Sequence, residues 1–564
     1  MQSNFLPIIE TTLYSFKLTQ LIFNKMKKIT IKQAIKSAAY HMEKAKIFIT
    51  IIISMLIITY PLTTSHAWIG DDVGAHINRL LVSIDTKQTI PYFDFSNETS
   101  PGYSWNLFYP PLSTFLMYIA YLFNPSELDR TIKTTAIFII ALCYLSTFIS
   151  CKKYNSTQCS LLVAAIYSSS SYLATNLYTR FAFPEATAMI FAPILISGFI
   201  DFSKGEVNKK IPLSMALILL SNIPSFLCAC FFSMLCCVTI KPDINQLKTL
   251  FKYALSAMCL SAFFLIPMLY EQINDQIQMG ETIWFDAMKS AIVRIDDFLL
   301  GLTIQSGRLT GMLICIGAPL MAAFLISLRH WKSEDTWLLI TLFLMICFVT
   351  FPINYLIFPS WLAIFSNIQF PWRITPYILS CVLFTIIRNE KNITILCLAL
   401  FTSSLLTSSI TFEKKKTPLN QKDFLQTVYM DYILLGSEFK KGLKKVTCTI
   451  NDQQTDYMAG RILNEKGMPV FTFQADSDAE CQIPVMAYSA LRANGEHRST
   501  HGYFTYSAKK GENVVEVSTS KNFNYLVGLS IMLSLLTSVF MLFSPRFFFK
   551  SHLFKKDREN MLSH

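Results

Sequence analysis

The residues best placed to do chemistry follow the first long apolar run, in the stretch Trp68-Ile69-Gly70-Asp71-Asp72-Val73-Gly74-Ala75-His76-Ile77-Asn78-Arg79. Two adjacent carboxylates beside an apolar segment repel each other and are costly to desolvate, so chance placement is discouraged. A helix starting here sets Asp72, His76 and Arg79 at i, i+4 and i+7 on one face. It also brings Asp71 and Asp72 to the positive end of the helix dipole. A carboxylate held beside His and Arg can act as general base towards a hydroxyl, or coordinate a divalent cation such as Mg or Mn. The plainer alternative is a helix N-cap with an interfacial salt bridge.

Three more polar groups stand at the ends of apolar runs. In Tyr178-Thr179-Arg180-Phe181-Ala182-Phe183-Pro184-Glu185, Arg180 has the planar fork that suits a phosphate, and Glu185 can orient Arg180 or an acceptor. An arginine snorkelling towards lipid headgroups reads the same way. Asn367-Ile368-Gln369-Phe370-Pro371-Trp372-Arg373 closes a late connector, where Gln369, Trp372 and Arg373 are either site residues or an interfacial anchor. Tyr270-Glu271 tops another run.

The elements that must position these groups are set by composition. Of 564 residues 52% are hydrophobic and 15% charged, against roughly 25% charged in soluble domains. A hydrocarbon core about 30 Å thick needs about 20 apolar residues per helix, and such runs recur from Ile47 to Ile410 and again over Tyr525 to Phe543. Open sheets cannot cross lipid, so the expected fold is an all-α polytopic membrane protein. The formal charge of +12 sits in short connectors and at the two ends, as topology signals do. No recognition helix, zinc finger or phosphate loop accompanies it, which argues against nucleic acid as a partner.

Placing the basic connectors (Lys152 and Lys153; Lys204, Lys209 and Lys210; Lys241, Lys248 and Lys252; Arg329 and Lys332; Arg388 and Lys391) on the cytoplasmic side predicts about 12 crossings. These fall near 47–64, 131–150, 159–173, 186–202, 211–222, 224–240, 252–269, 310–328, 337–352, 374–388, 392–410 and 523–543, with Tyr109 to Phe123 along the surface or dipping in. The hop at Ser221-Asn222-Ile223-Pro224 is the critical one, since every later segment changes sides if it is not a turn. The chain then divides into a cytoplasmic basic N-terminus (1–46), a transmembrane domain (47–410) and an extracytoplasmic segment (411–522). A final helix (523–543) and a cytoplasmic basic tail (544–564) complete it. The first outer loop (65–108) and the other polar groups share the outer face.

Alternating or β-branched runs such as Pro469 to Phe473, Tyr503 to Tyr506 and Val514 to Val517 predict a small β-rich domain within 411–522. Twelve of the 14 cysteines lie in or beside apolar runs. Cys448 and Cys481, in the polar segment, are a candidate disulfide if it faces an oxidising compartment. No zinc-protease pattern, nucleophile elbow or Lys-Ser/Thr phosphate loop occurs, so ATP hydrolysis and serine-hydrolase chemistry are poorly supported.

Taken in order, the Asp pair with His76, then Phe108-Tyr109-Pro110-Pro111-Leu112, Arg180 to Ala186, Ser221-Asn222 and Gln369-Phe370-Pro371-Trp372-Arg373 resemble the GT-C superfamily of membrane glycosyltransferases. Within it the chain is similar, over residues 47 to 540, to a bacterial branch labelled 6-pyruvoyl-tetrahydropterin synthase-related, or YfhO-like, membrane proteins. Nothing in the sequence supports pterin chemistry. The resemblance implies a multi-pass protein of the bacterial cytoplasmic (inner) membrane. It also implies a polyprenyl-phosphate sugar donor and a glycan, lipid or protein acceptor. Carried over, Asp71 or Asp72 is the base, and Arg180 and Arg373 are the phosphate candidates. His76, Arg79, Tyr109, Glu185, Glu271, Gln369 and Trp372 are read with them as substrate-binding residues. The branch spells its loop with one Asp before an aromatic-His pair, whereas here Asp72 and His76 are separated by Val73-Gly74-Ala75. A flippase or exporter of lipid-linked saccharide is the alternative, although polar residues inside the spans are sparse. A non-enzymatic envelope assembly factor acting through the C-terminal domain is another.

Overall fold

A computed structural model describes residue 25 and residues 41–543, except 65, 87–90, 96–100, 126, 282–290, 302–311, 352–366, 391, 412–430, 438–444 and 451–452. Most of the basic N-terminus, the tail 544–564 and large parts of the expected outer loops 270–307 and 352–373 lie outside the described residues.

The chain is mostly helical up to Thr411. In order come α1 (His41–Thr63), α2 (Val73–Asp85), α3 (Trp105–Phe108), α4 (Leu112–Phe123), α5 (Leu128–Cys151), α6 (Thr157–Ser168) and α7 (Ser171–Ala174). A π-helical turn (Thr175–Arg180) leads into α8 (Phe183–Met189), α9 (Ala192–Ser203), α10 (Lys210–Ser221) and α11 (Ile223–Ile240). Then follow α12 (Ile244–Leu260), α13 (Ala262–Asn274), α14 (Ile295–Leu300), α15 (Ala318–Ser327), α16 (Thr336–Thr350), α17 (Thr375–Asn389) and α18 (Ile393–Thr411). Nine strands and the closing helix α19 (Lys521–Phe543) complete the chain. Prolines at the first turns of α8, α11, α15 and α17 start these helices at no cost in hydrogen bonds.

Among the described residues seven helices are long and apolar enough to cross a membrane: α1, α5, α8 continued by α9, α11, α16 with its lead-in turn, α18 and α19. Three of the expected twelve crossings are not single straight helices. The segment 252–269 is not one straight span: α12 and α13 meet at an angle of 81° around Ser261. In the segment 310–328 the described residues 312–317 are not helical and the helix begins at Ala318, after Gly317 with φ +93°. The segment 159–173 ends its helix at Ser168. In these apolar runs the breaker signals are the Gly317-Ala318-Pro319 step and Pro267, and neither marks Ser261 itself.

The hop at Asn222 is a turn. Asn222 has extended φ and ψ of −161° and 122°, and its side chain accepts from Ser225 N–H to cap α11. Met215 Sδ and Ser233 Oγ then meet at 4.0 Å. Eighteen residues apart on a continuous helix they would be about 27 Å apart, so the chain doubles back.

The basic connectors gather at one end of the bundle. Lys153 pairs with Asp201 (2.9 Å) and Glu206 (2.7 Å), and Lys210 with the other oxygen of Asp201 (2.8 Å). Arg388 pairs with Asp335, Asn155 reaches the carbonyls of Ile387 and Glu390, and Lys46 reaches Thr394. Asn208 N–H donates to Tyr253 of α12, and Lys209 to the Met541 carbonyl at the end of α19. At the opposite helix ends, Ala67 N–H donates to Asp129 (2.7 Å) and Tyr178 to the Ile58 carbonyl (2.6 Å).

The C-terminal domain is antiparallel β, in two sheets. One has the order β2-β1-β5-β8-β7 and the other β3-β4-β9-β6. The strands are β1 (Lys445–Ile450), β2 (Gln453–Met458), β3 (Gly460–Leu463), β4 (Pro469–Ala475), β5 (Ala479–Met486), β6 (Leu491–Ala493), β7 (Ser499–Thr500), β8 (Tyr503–Ala508) and β9 (Gly511–Thr519). Cys448 and Cys481 stand opposite each other in the β1–β5 register and are disulfide-bonded, both fully buried. The domain shares an aromatic core with the first loop, in which Phe93, Phe95, Tyr103 and Trp105 pack with Ile483, Met486 and Tyr488. Arg461 donates to the Phe95 carbonyl (2.7 Å), and Met486 N–H to the Pro101 carbonyl (2.8 Å). The loop is thus held between bundle and β-domain.

Candidate active site at one end of the bundle

Two segments far apart in sequence are joined first by backbone. Asp72 N–H donates to the Arg180 carbonyl (2.8 Å), and Trp68 Nε1 to the Leu177 carbonyl (2.7 Å). Gly70 makes this approach possible, because a Cβ there would lie 2.6 Å from the Thr179 carbonyl oxygen and 2.8 Å from the Arg180 carbonyl carbon. Phe181 holds φ +60°, a left-handed conformation unusual for an aromatic residue, and turns the chain from the π-helical turn into α8. Gln369 has the same sign of φ, at 64°, just before Pro371. Backbone strain of this kind gathers at functional sites.

Glu185 is the centre of the cluster. One of its oxygens accepts from Arg180 Nη1 (2.8 Å) and Arg373 Nε (3.1 Å). The other accepts from the Tyr172 hydroxyl and lies 3.5 Å from Asn176 Nδ2. Arg180 Nη1 also reaches Asn176 Oδ1 (2.8 Å), while Arg373 Nη1 reaches Gln369 Oε1 (2.7 Å) and the Ile368 carbonyl (3.0 Å). Arg180 lies 4.7 Å over the Trp372 ring, which stacks on Phe370, and Arg373 lies 4.9 Å over Phe370. All three ionic side chains are buried, at 6% exposure for Arg180, 2% for Glu185 and 9% for Arg373. Neither guanidinium's Nη2 takes a partner among the described residues, so each keeps a donor group for something else.

Asp72 and Asp71 part company. Asp72 occupies the N-cap position of α2 but makes no side-chain cap hydrogen bond, so capping is not what its carboxylate does. It is half-buried, and burial pushes its carboxyl above the usual carboxylate value, against the pull of Arg180 and then Arg373. Asp71 and Glu185 push it up further. Asp71 is exposed. His76 and Arg79 follow on α2 as the spacing predicts. His76 packs edge-on against Tyr109, with ring centroids 5.6 Å apart, and Arg79 lies 4.6 Å over the same ring. Burial first, and the charges of Arg79 and Arg180 next, hold the His76 imidazole well below its normal value, hence neutral.

Asp72, Arg180, Glu185, Gln369, Trp372 and Arg373 therefore come together, with His76, Arg79 and Tyr109 alongside. Glu271 does not join them: it is buried where α13 meets the β-domain, with one oxygen 3.4 Å from Ala490 N–H, next to Asp275, which binds Ser489. Cys448 and Cys481 also lie apart, inside the β-domain. Among the described residues no group of three or more His, Cys, Asp or Glu is gathered as a metal would require. Sequence reasoning missed Tyr172 and Asn176, which hold Glu185 and Arg180, and Asn106, which holds Arg79. Asn176 stands four residues before Arg180 in one helical turn, a spacing that could have flagged it. Tyr172 and Asn106 carry no such signal.

No family model matches the chain. A Lactococcus lactis subsp. cremoris (strain MG1363) protein, described as uncharacterized, is 26% identical over 241 residues, 39% of this chain and 39% of its own length. Among solved structures, the mycobacterial arabinofuranosyltransferase AftD overlaps 65% of this chain at a TM-score of 0.41 and 12% identity. The overlap covers 26% of AftD, so the chain spans well under half the length of either protein.

Proposed function

We propose that this protein is a polytopic membrane glycosyltransferase that moves a sugar from a polyprenyl-phosphate donor to an extracytoplasmic glycan, lipid or protein. The reading rests on one observation: Asp72, Arg180, Glu185 and Arg373, from three distant segments, converge at the end of the bundle opposite the basic connectors. The positive-inside bias puts the connectors, and with them both termini, in the cytoplasm. The site and the β-domain then face outwards, where a disulfide persists. The resemblance of the Asp loop and the Gln-Phe-Pro-Trp-Arg motif to the GT-C superfamily, and to its YfhO-like branch, supports the same reading.

In the reaction, Arg180 and Arg373 bind the donor phosphate through the guanidinium nitrogens that Glu185 leaves free. Glu185 holds the two cations side by side against their mutual repulsion. Asp72 takes the proton from the acceptor hydroxyl as its oxygen attacks the anomeric carbon. The bond from that carbon to the phosphate oxygen breaks, and polyprenyl phosphate leaves with both electrons, stabilised by the two guanidiniums. A carboxyl raised above its normal value by burial is a stronger base than a free one.

The test compares surface glycan and lipid-linked sugars in cells with the wild-type protein, without it, and with Asp72→Asn. Asp72→Asn should match the deletion. If deleting the protein alters surface glycan and Asp72→Asn restores it fully, the assigned base is wrong.

A further inference from the structure

Beside the assigned site, three buried polar atoms have no partner among the described residues: Arg79 Nη1, His76 Nε2 and Asn106 Nδ2. Arg79 is 0% exposed, and His76 and Asn106 are 2% exposed each. Arg79 differs from Arg180 and Arg373 in having no carboxylate. Its Nε donates to Asn106 Oδ1 (2.8 Å), its Nη2 to the carbonyls of Tyr109 (3.1 Å) and Pro110 (3.0 Å), and its face to the Tyr109 ring. All of these acceptors are neutral, and a neutral donor would fix the 106–110 segment as well. A buried cation without a counter-charge, next to donors with nothing to donate to, is expensive unless an anion completes it. The Tyr109 ring lies across both Arg79 and His76, and Tyr109 itself is only half-buried.

We infer that Arg79, Asn106 and His76 form a second oxyanion subsite, covered by Tyr109, for a phosphate or carboxylate other than the phosphate on Arg180 and Arg373. The inference rests on the transferase reading above and narrows its substrate to one carrying two anionic groups. Arg79 supplies the charge and one donor, Asn106 an amide N–H, and His76 a third donor in its Nε2–H tautomer. Rotation of Tyr109 off the pair opens the subsite. The anion is either the second phosphate of a diphosphate-linked donor or the carboxylate of an acidic sugar, and the test separates the two.

The full chain in lipid nanodiscs is titrated calorimetrically with inorganic phosphate, pyrophosphate and glucuronate. Wild type should bind pyrophosphate or glucuronate at least about tenfold tighter than phosphate, the winner naming the source. Asn106→Asp keeps the acceptor for Arg79 Nε and places a carboxylate beside the guanidinium. It should therefore raise the melting temperature and abolish the tenfold margin. Arg79→Met should abolish the margin too. A margin that survives Asn106→Asp, or is absent from wild type, overturns the subsite and leaves Arg79 as a clamp. Arg180→Met reports separately on the donor site: unchanged phosphate binding there sinks the transferase reading, whereas Asn106→Asp decides this one.

Discussion

Both ends of the helix bundle carry buried carboxylates between cations, and they differ in where the surplus charge goes. At the connector end, Asp201 is held by two lysines, of which Lys153 is 49% exposed and Lys210 35%. There Arg388 meets Asp335 in a two-toothed pair at 2.6 and 2.9 Å, with Glu334 a further 3.5 Å contact. At the site end, Glu185 faces two arginines and all three are enclosed. A lysine can turn its ammonium to water when its partner is lost, but a stacked, buried guanidinium cannot. The two ends therefore differ in whether the cations can reach water once a carboxylate partner is lost.

The comparison breaks most decisively at Asp72. Asp72→Asn should lower transfer by about 10³-fold, while Asp71→Asn, at an exposed position, should cost less than about threefold. Radiolabelled sugar transfer in membranes is the readout, and equal losses would erase the distinction. The same carboxyl sets a pH dependence. Its folded value lies above the ordinary 3.8, so the folded state holds this proton more tightly than the unfolded one. Ionising Asp72 therefore costs stability as pH rises through the folded value, and activity falls as pH drops through it. At neutral pH Asp72→Asn should melt no lower than wild type while being inactive. A lower melting point would mean that the charge is structural.

Next in size, replacing Arg373 by Lys should weaken phosphate binding about tenfold or more, since a point charge cannot bridge Glu185 and a phosphate as the fork does. The opposite-end control, Arg388→Lys, should leave anion affinity unchanged. For stability, Glu185→Ala strands two buried cations and should cost about 3 kcal/mol or more. Asp201→Asn should cost about 1 kcal/mol, because its lysines can reach water. Thermal unfolding in one detergent compares them, and equal losses would remove the difference between the ends. The smallest effect is topological. Cysteines placed at Asn274 and at Lys204, both exposed, should leave activity intact and react with an impermeant thiol reagent from opposite sides.

Much of this was legible because polar residues are rare in the sequence. Asp72, Arg180, Glu185 and Arg373 stand out between apolar runs, and one-sidedness followed from the lysines between them. A shared face says nothing about lateral position, which is why Glu271 was grouped with residues it does not approach. Tyr172, Asn176 and Asn106 sit in segments where a tyrosine or asparagine has no distinctive neighbourhood, and only packing reveals what each holds. The break at Ser261 was invisible for a related reason. Apolar composition measures length and not continuity, and the groups that make the break tolerable lie far along the chain.

Those groups are Tyr92 and Ser534. Pro267 has no N–H for the Phe263 carbonyl, which lies 3.4 Å from the Tyr92 hydroxyl. Ser534 of α19 accepts from Phe263 N–H (3.0 Å) and donates to the Cys259 carbonyl (3.1 Å). Backbone groups left open in lipid are costly, so the bend between α12 and α13 is completed by a hydroxyl made 271 residues after the N–H it serves. During synthesis the β-domain emerges before that hydroxyl does. The bend between α12 and α13 is therefore complete only in a chain that has been made as far as α19.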